Sequence, residues 1–415
     1  MRSLKILSIH NRYQQHGGED VVMQSERQLL VSFGHRVVEY VRNSEEIRNY
    51  GLRDTVTLGP RTVWAWDSYR EVKRCLKTEQ PHLAHFHNTF PLISPAAYYA
   101  CREAGVPVVQ TLHNYRLVCP AATFFRHGQV CEECMEHTLW RGVRYGCYRK
   151  SRPATAAVAL MLALHRWRKT WTQQVDAYIA LTQFARRKFV AGGLPAEKIA
   201  VKPNFLDPDP GPRNGDGEYA LFVGRVQDEK GAGLLVDAWR RLPKKIPLRV
   251  IGDGVQRGEL EAKVSREGVS SISFEGHQGR GRVLEAMKGA RFLIFPSKWY
   301  EGFPVTIVEA LACGLPIVGS RLGAIQEIVD EGRTGLHFRP GDSLDLAEKV
   351  DWAWAHPERM KEMSRQARAE FEAKYTRERN YELLMEIYER AIANHEKARD
   401  IAAHSTDEEE RAKPD

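Results

Sequence analysis

Short apolar runs alternate with longer helical periodicities twice along this chain, and that repetition restricts its fold more than any single residue. In the first half "LKILSI", "HRVVEYV", "PHLAHFHN", "GVPVVQTLHN" and "VDAYIALT" read as strands. A helical pattern from Val21 to Phe33 follows the first of them, with Val22, Leu29, Leu30 and Phe33 apolar and Gly34 as its stop. Apolar strands separated by helices imply a parallel sheet covered on both faces. The stretch 201–218 holds four prolines and three glycines and breaks the pattern. Beyond it the alternation restarts: "YALFVGR", a helix near 231–241, "PLRVIGDG", "SISFEGH", "ARFLIFPS", a helix after Pro304, and "PIVGSRLG". From about 343 to 395 the pattern is helical.

The predicted fold is therefore α/β, with two doubly wound Rossmann-like domains facing across a cleft. The first spans 1–203 and the second 204–375. A C-terminal helix at about 376–395 packs back on the first domain, and 396–415 is a flexible polar tail. A length of 415 residues supports two cores. Ligands of such sheets bind beyond the strand C-termini, so a cleft between two sets of C-termini is the expected site.

The opening "MRSLKILSIHNRY" has too short an apolar run for a secretory leader, and "ATAAVALMLAL" (154–164) is too short to span a bilayer. The expected location is cytoplasmic, with peripheral attachment to an anionic inner-membrane surface as a further expectation. Sixty-one basic against 53 acidic residues give a net charge of +8, gathered in "RGVRYGCYRKSR" (141–152) and "HRWRKTW" (165–171). Such patches meet phosphate, nucleic acid or anionic lipid, or are solvated faces.

Two motifs carry chemistry. "FVGRVQDEKGAG" (222–233) puts Gly224, Arg225 and Lys230 on a Gly-rich loop entering a helix, where cations and amides converge on a diphosphate. It matches neither a Walker A loop nor a GxGxxG fingerprint. "WYEGFPVTIVEA" (299–310) places Glu301, Gly302, Phe303, Val305 and Thr306 at the mouth of a helix and Glu309 within it. Pro304 sits where a first helical turn tolerates proline. The exposed amides suit phosphate, and the carboxylates suit hydroxyl groups.

In this order, "FVGR…DEKG", "VIGDG", "FEGH" and "PS…EGFPVTIVEALACGLPIVGS" closely resemble the retaining, nucleotide-sugar-dependent glycosyltransferases of family 4, which have the GT-B fold. "HGGED", "TLHNYRLVCP" and "ALTQFARRKFVAGGLPAEKIAVKPNFLD" agree, so the resemblance covers roughly residues 4 to 390. It implies that Arg225 and Lys230 stabilise the donor diphosphate as leaving group, which makes a metal dispensable. It further implies that Glu309 binds the donor ribose, Glu301 the transferred sugar, and His113 the anomeric centre. Gly17 and Gly18 would let a loop approach the diphosphate closely. His113, Glu301, Arg225 and Lys230 are thus the expected catalytic set, and His85, His87 and Asn88 the expected acceptor contacts. The chain departs from many relatives at Pro304, where they carry a second glycine; the proline removes one amide.

Cys119, Cys131, Cys134 and Cys147 lie within 29 residues, as one CxxC with single cysteines twelve before and thirteen after. Four thiolates suffice for tetrahedral zinc, with His127 and His137 as substitutes. The lack of a second CxxC leaves free thiols and a redox-sensitive disulfide open. A similar Cys-rich insert in some exopolysaccharide glycosyltransferases points to polysaccharide assembly. The expected partners are a nucleoside diphosphate sugar and a glycan or lipid-diphosphate-linked acceptor, with no nucleic acid. Three rivals remain: a relative with a small-molecule acceptor, a zinc-bearing nucleic-acid-binding module, and a catalytically inert sugar-binding protein.

Overall fold

The computed structural model describes residues 3–14, 18–49 and 52–411. Two six-stranded parallel sheets carry the chain. The first contains β1 (Lys5–Arg12), β2 (Arg36–Asn43), β3 (Leu83–Asn88) and β4 (Val108–Leu112). A two-stranded hairpin, β5 (Phe125–Arg126) and β6 (Gln129–Val130), precedes the last two strands of this sheet, β7 (Ala177–Ala180) and β8 (Ile199–Val201). The order is β2-β1-β3-β4-β7-β8. The second sheet comprises β9 (Tyr219–Val223), β10 (Leu248–Ile251), β11 (Ile272–Gly276), β12 (Ala290–Phe295), β13 (Ile317–Ser320) and β14 (Gly335–Phe338). Its order is β11-β10-β9-β12-β13-β14.

Strand order reverses between β1 and β3 in the first sheet and between β9 and β12 in the second, and at such switch points loops leave in opposite directions and open a crevice. "HGGED" follows β1, "FVGR" runs off β9, and "PSKWYEGFP" follows β12, so the sequence motifs fall at the switch points. The strands are nearly continuous in apolar residues because helices cover both faces; every residue of β3, β4 and β7 is buried.

The C-terminal helix, Arg377–Arg411, packs on the first domain. Its Leu384, Met385, Tyr388 and Ala391 share a core with Ile6, Leu83, Val109 and Ala177, and Phe33 stacks on Tyr381 at 3.8 Å. The helix continues through 396–411, where the sequence reading expects a flexible tail. Its Ala-, Glu- and Arg-rich composition sustains helix without an apolar stripe. The insert after β4 folds as the β5–β6 hairpin and the helices Glu133–Glu136 and Trp140–Tyr145. It leads into the helix Arg152–Trp167, whose N-terminus is capped by the Ser151 side chain.

Candidate functional site

In the second domain the loop after β9 and the loop after β12 fold onto each other. Gly231 has φ +70°, and a Cβ there would stand 2.0 Å from the Pro296 carbonyl oxygen, so only glycine lets the 228–230 turn approach this closely. The Lys298 amide bonds the Glu229 carbonyl at 2.9 Å. This close packing brings Lys230 Nζ within 2.8 Å of Glu301 Oε1, and the Ser297 hydroxyl donates to the same oxygen at 2.6 Å. Burial opposes ionisation of Glu301, but the Lys230 ammonium and the Ser297 and Trp299 donors together hold its carboxyl below the usual range. The residues assigned to opposite ends of the donor are therefore ion-paired with each other. Arg225 stands exposed on the rim, with Glu229 at 3.8 Å.

Pro304 is the residue before the helix Val305–Ala312, with φ −80°, rather than its first residue. Its carbonyl accepts from Ile307 at 3.0 Å, leaving the Val305 and Thr306 amides at the helix mouth. Glu309, one turn further, has Arg280 at 3.4 Å; burial raises its carboxyl despite that cation. Phe303 packs near Tyr375, with ring centroids 6.2 Å apart, so its ring is committed to the core rather than to the donor.

Across the cleft, Gly302 touches the first domain: a Cβ there would meet the His113 carbonyl oxygen at 2.4 Å. The Tyr115 hydroxyl donates to the Glu301 carbonyl at 3.3 Å, and the Tyr300 hydroxyl to Glu132 at 2.7 Å. His113 thus stands directly opposite the donor loops. It is buried at the end of β4, with its Nε2 3.1 Å from His87 Nδ1. Burial pushes its pKa down to about 3, with His10, His85 and Lys202 adding to the effect and Glu26 opposing it. His87 is likewise held well below its ordinary value, first by burial. Both rings are neutral at physiological pH, so one nitrogen of the pair donates and the other accepts.

Beneath them lies a wholly buried ionic network. Lys202 Nζ is 3.1 Å from Glu26 Oε2 and 2.9 Å from Asn380 Oδ1. Glu26 Oε1 lies 3.0 Å from His85 Nδ1 and 3.5 Å from His87 Nε2. Desolvation works against the Glu26 charge, but Lys202 and His85 keep its carboxyl well below the usual range. Among the described residues, Glu26, His85 and His87 form the one group of three metal-ligating side chains with donor atoms all within 4.8 Å. The Lys202 ammonium already supplies the positive charge there.

Besides Phe303, other sequence expectations change. His85 is spent in this network: its ring nitrogens lie 2.8 Å from the Tyr388 and Thr111 hydroxyls, so it is framework rather than an acceptor contact. Asn88 is likewise committed, donating to the Asn11 carbonyl at 2.8 Å and accepting from the Phe90 amide at 3.0 Å. His87 alone of the three reaches His113. Gly18 opens the helix Gly18–Ser32, and a Cβ there would meet nothing within 4 Å; Gly17 lies outside the described residues.

Sequence reasoning missed Glu19, which it read only within the motif "HGGED" ahead of a helix. The Asn114 amide donates to its Oε1 at 2.7 Å, its Oε2 has no hydrogen-bond partner among the described residues, and burial raises its carboxyl against the Asn114 and Tyr13 hydrogen bonds. Asn114 follows His113 and lines the same cavity, so Glu19 is held directly behind a lining residue. The "GGED" spacing after a strand was the available signal.

The four cysteines are neighbours, and Cys134 is pushed up to about 12 by burial and then by Cys119, Cys147 and Cys131. Among the described residues they do not form a second close metal-ligating group. A tetrahedral set needs its sulfurs in mutual contact around the ion. Among the described residues, neither His127 nor His137 joins such a group.

The chain matches the family model for glycosyl transferases group 1 over residues 206–370, and that for glycosyltransferase family 4 over 16–210. It is 34% identical over 136 residues to an uncharacterised glycosyltransferase of Methanocaldococcus jannaschii, covering 33% of this chain and 38% of that protein. It is 27% identical over 236 residues to the lipopolysaccharide 1,2-N-acetylglucosaminetransferase of Salmonella typhimurium, covering 51% and 62%. The chain thus spans about two fifths of the first and three fifths of the second. The Anabaena protein HepE, solved in complex with UDP and glucose, shares the fold at a TM-score of 0.64 and 17% identity, over 92% of this chain and 98% of HepE.

Proposed function

This chain belongs to the family 4 type of glycosyltransferases with the GT-B fold, and from that premise we propose that it moves a sugar from a nucleoside diphosphate sugar to a glycan or lipid-linked acceptor, retaining the anomeric configuration. One observation carries the reading. The Lys230–Glu301 pair, the Val305–Thr306 helix mouth and neutral His113 meet across a single cleft, bridged by Gly302 against the His113 carbonyl. The UDP bound by HepE supports the donor class.

A donor diphosphate entering at the helix mouth competes with Glu301 for the Lys230 ammonium. Its capture releases Glu301 oxygens for the hydroxyls of the transferred sugar, so diphosphate binding and sugar recognition are coupled through one ion pair. Arg225 adds a second cation at the rim, and the two stabilise the departing diphosphate without a divalent ion. Glu309 takes the ribose hydroxyls. His113 carries no charge, so it serves as a hydrogen-bond partner at the anomeric centre rather than as a phosphate ligand. Glu19, beside Asn114, receives the acceptor hydroxyl. Attack on the face the diphosphate leaves, with the diphosphate assisting deprotonation, gives retention without an enzyme nucleophile.

The setting we propose is cell-surface polysaccharide synthesis at the inner face of the cytoplasmic membrane, which the Salmonella relative and the insert support. The test is transfer from a panel of nucleoside diphosphate sugars to membrane-extracted acceptors, with the product linkage read by NMR. A product of retained configuration, formed equally in EDTA, is expected. An inverted product, or transfer that requires a divalent ion, would overturn the mechanism.

A further inference from the structure

The helix Arg152–Trp167 has two unlike faces. Met161 on its inner face is buried and lines a cavity shared with His113, Asn114 and Arg116. On its outer face Leu160 is 60% exposed and Trp167 76%, and Trp140 from the neighbouring helix Trp140–Tyr145 is 70% exposed. These side chains, with Leu139, Ala156 and Ala163, line a groove of about 870 Å³ open to solvent. Two tryptophans and a leucine left in water along one groove are an unusual concentration of exposed apolar surface. No helix among the described residues is long and apolar enough to cross a membrane, so this helix cannot be a span.

The segment that carries the groove is basic: Arg166 lines it, and between Glu136 and Asp176 the chain has eight Arg or Lys residues and no Asp or Glu. Arg144, Arg149, Lys150, Arg152, Arg166 and Lys169 are all exposed, and none forms an ion pair among the described residues. A surface packed within the chain would bury or pair these cations. Indole rings beside basic side chains instead match the boundary of an anionic bilayer, with rings at headgroup depth and cations on the phosphates.

Resting on the proposed transfer reaction, we infer that this groove is a docking surface for an anionic lipid bilayer, and that it sets the mouth of the acceptor pocket against the membrane. The outer face of the helix sits in the headgroups while its inner face, through Met161, borders the cavity of His113. A lipid-linked acceptor would then reach the site without leaving the bilayer, and the soluble donor would enter from the other domain.

The test uses the full chain with vesicles of phosphatidylcholine alone or mixed with phosphatidylglycerol, read by co-sedimentation and tryptophan fluorescence. Binding is expected only to the anionic vesicles, with a blue-shifted emission. Raised salt, Arg144→Glu with Arg166→Glu, or Trp140→Ser with Trp167→Ser should each weaken it at least ~10-fold. Nucleotide binding, measured by calorimetry on the same variants, should not change, which also shows that they fold. Absence of vesicle binding by a chain that still binds nucleotide would overturn the inference. So would a dimer in sedimentation velocity that the tryptophan variants dissociate, since the groove would then be a self-association face. Vesicle binding without nucleotide binding would keep this inference and sink the donor reading instead.

Discussion

His113 shows what burial does to a single side chain. A histidine whose folded pKa is near 3, against about 6.5 unfolded, binds fewer protons folded than unfolded between those values. Stability contributed by this neutral ring is therefore complete above about pH 6.5 and is lost as pH falls towards 3, by up to about 1.4 kcal/mol per pH unit. His113→Gln should flatten that acid limb in urea titrations from pH 7 to 4; an unchanged slope would deny the buried neutral state. Glu19 makes a separate prediction at this scale. Glu19→Gln should lower the turnover of transfer by roughly 100-fold while donor affinity stays constant, because its carboxylate serves the acceptor. A matching loss of donor affinity would move Glu19 to the donor side. In the sequence Glu19 stood only within the motif "HGGED". Its function-relevant fact, a buried carboxylate held by Asn114, is a property of the folded pocket.

The loops after β9 and β12 work as one element because Gly231 permits close approach to the Pro296 carbonyl, and Gly302 sets that element against the His113 carbonyl of the first domain. Gly302→Ala would drive a methyl into the His113 carbonyl, so the lobes must part by a fraction of an ångström. Transfer should fall by about 10- to 100-fold with nucleotide affinity nearly unchanged, since misplacement at the reacting centre costs rate more than binding. Steady-state rates set against calorimetric affinity would separate the two, and equal losses in both would contradict the closure role. The helices and strands around these loops were legible from apolar periodicity, and so was the position of the motifs at the strand C-termini. The Lys230–Glu301 pair was not, because its members are 71 positions apart and each had a ligand assigned. Which partner a charge takes is decided by how two loops pack, and no local pattern carries that.

At the scale of the molecule, the network Glu26–Lys202–Asn380 ties the first domain, the run into the linker and the C-terminal helix into one unit, with side chains 2–3% exposed at its ion pair. Lys202→Met leaves Glu26 buried and uncompensated, and should cost about 3–5 kcal/mol in denaturant unfolding; Glu26→Gln in the same chain should recover much of it. Additive losses would mean that the pair is not coupled. Two parallel sheets were legible in the sequence, since they follow from pattern and composition. The sequence did not reveal this network, whose members come from positions 26, 85, 87, 202, 380 and 388 and converge only on folding. The central claim is that the cleft binds a nucleoside diphosphate sugar through a cation rather than a metal. Calorimetry of the intact chain against a panel of nucleoside diphosphate sugars, with and without EDTA and alongside Lys230→Ala, tests it most directly. The account predicts saturable binding to at least one donor, unchanged by EDTA and weakened at least ~10-fold in the variant. Binding that vanishes with EDTA and survives in Lys230→Ala would contradict it.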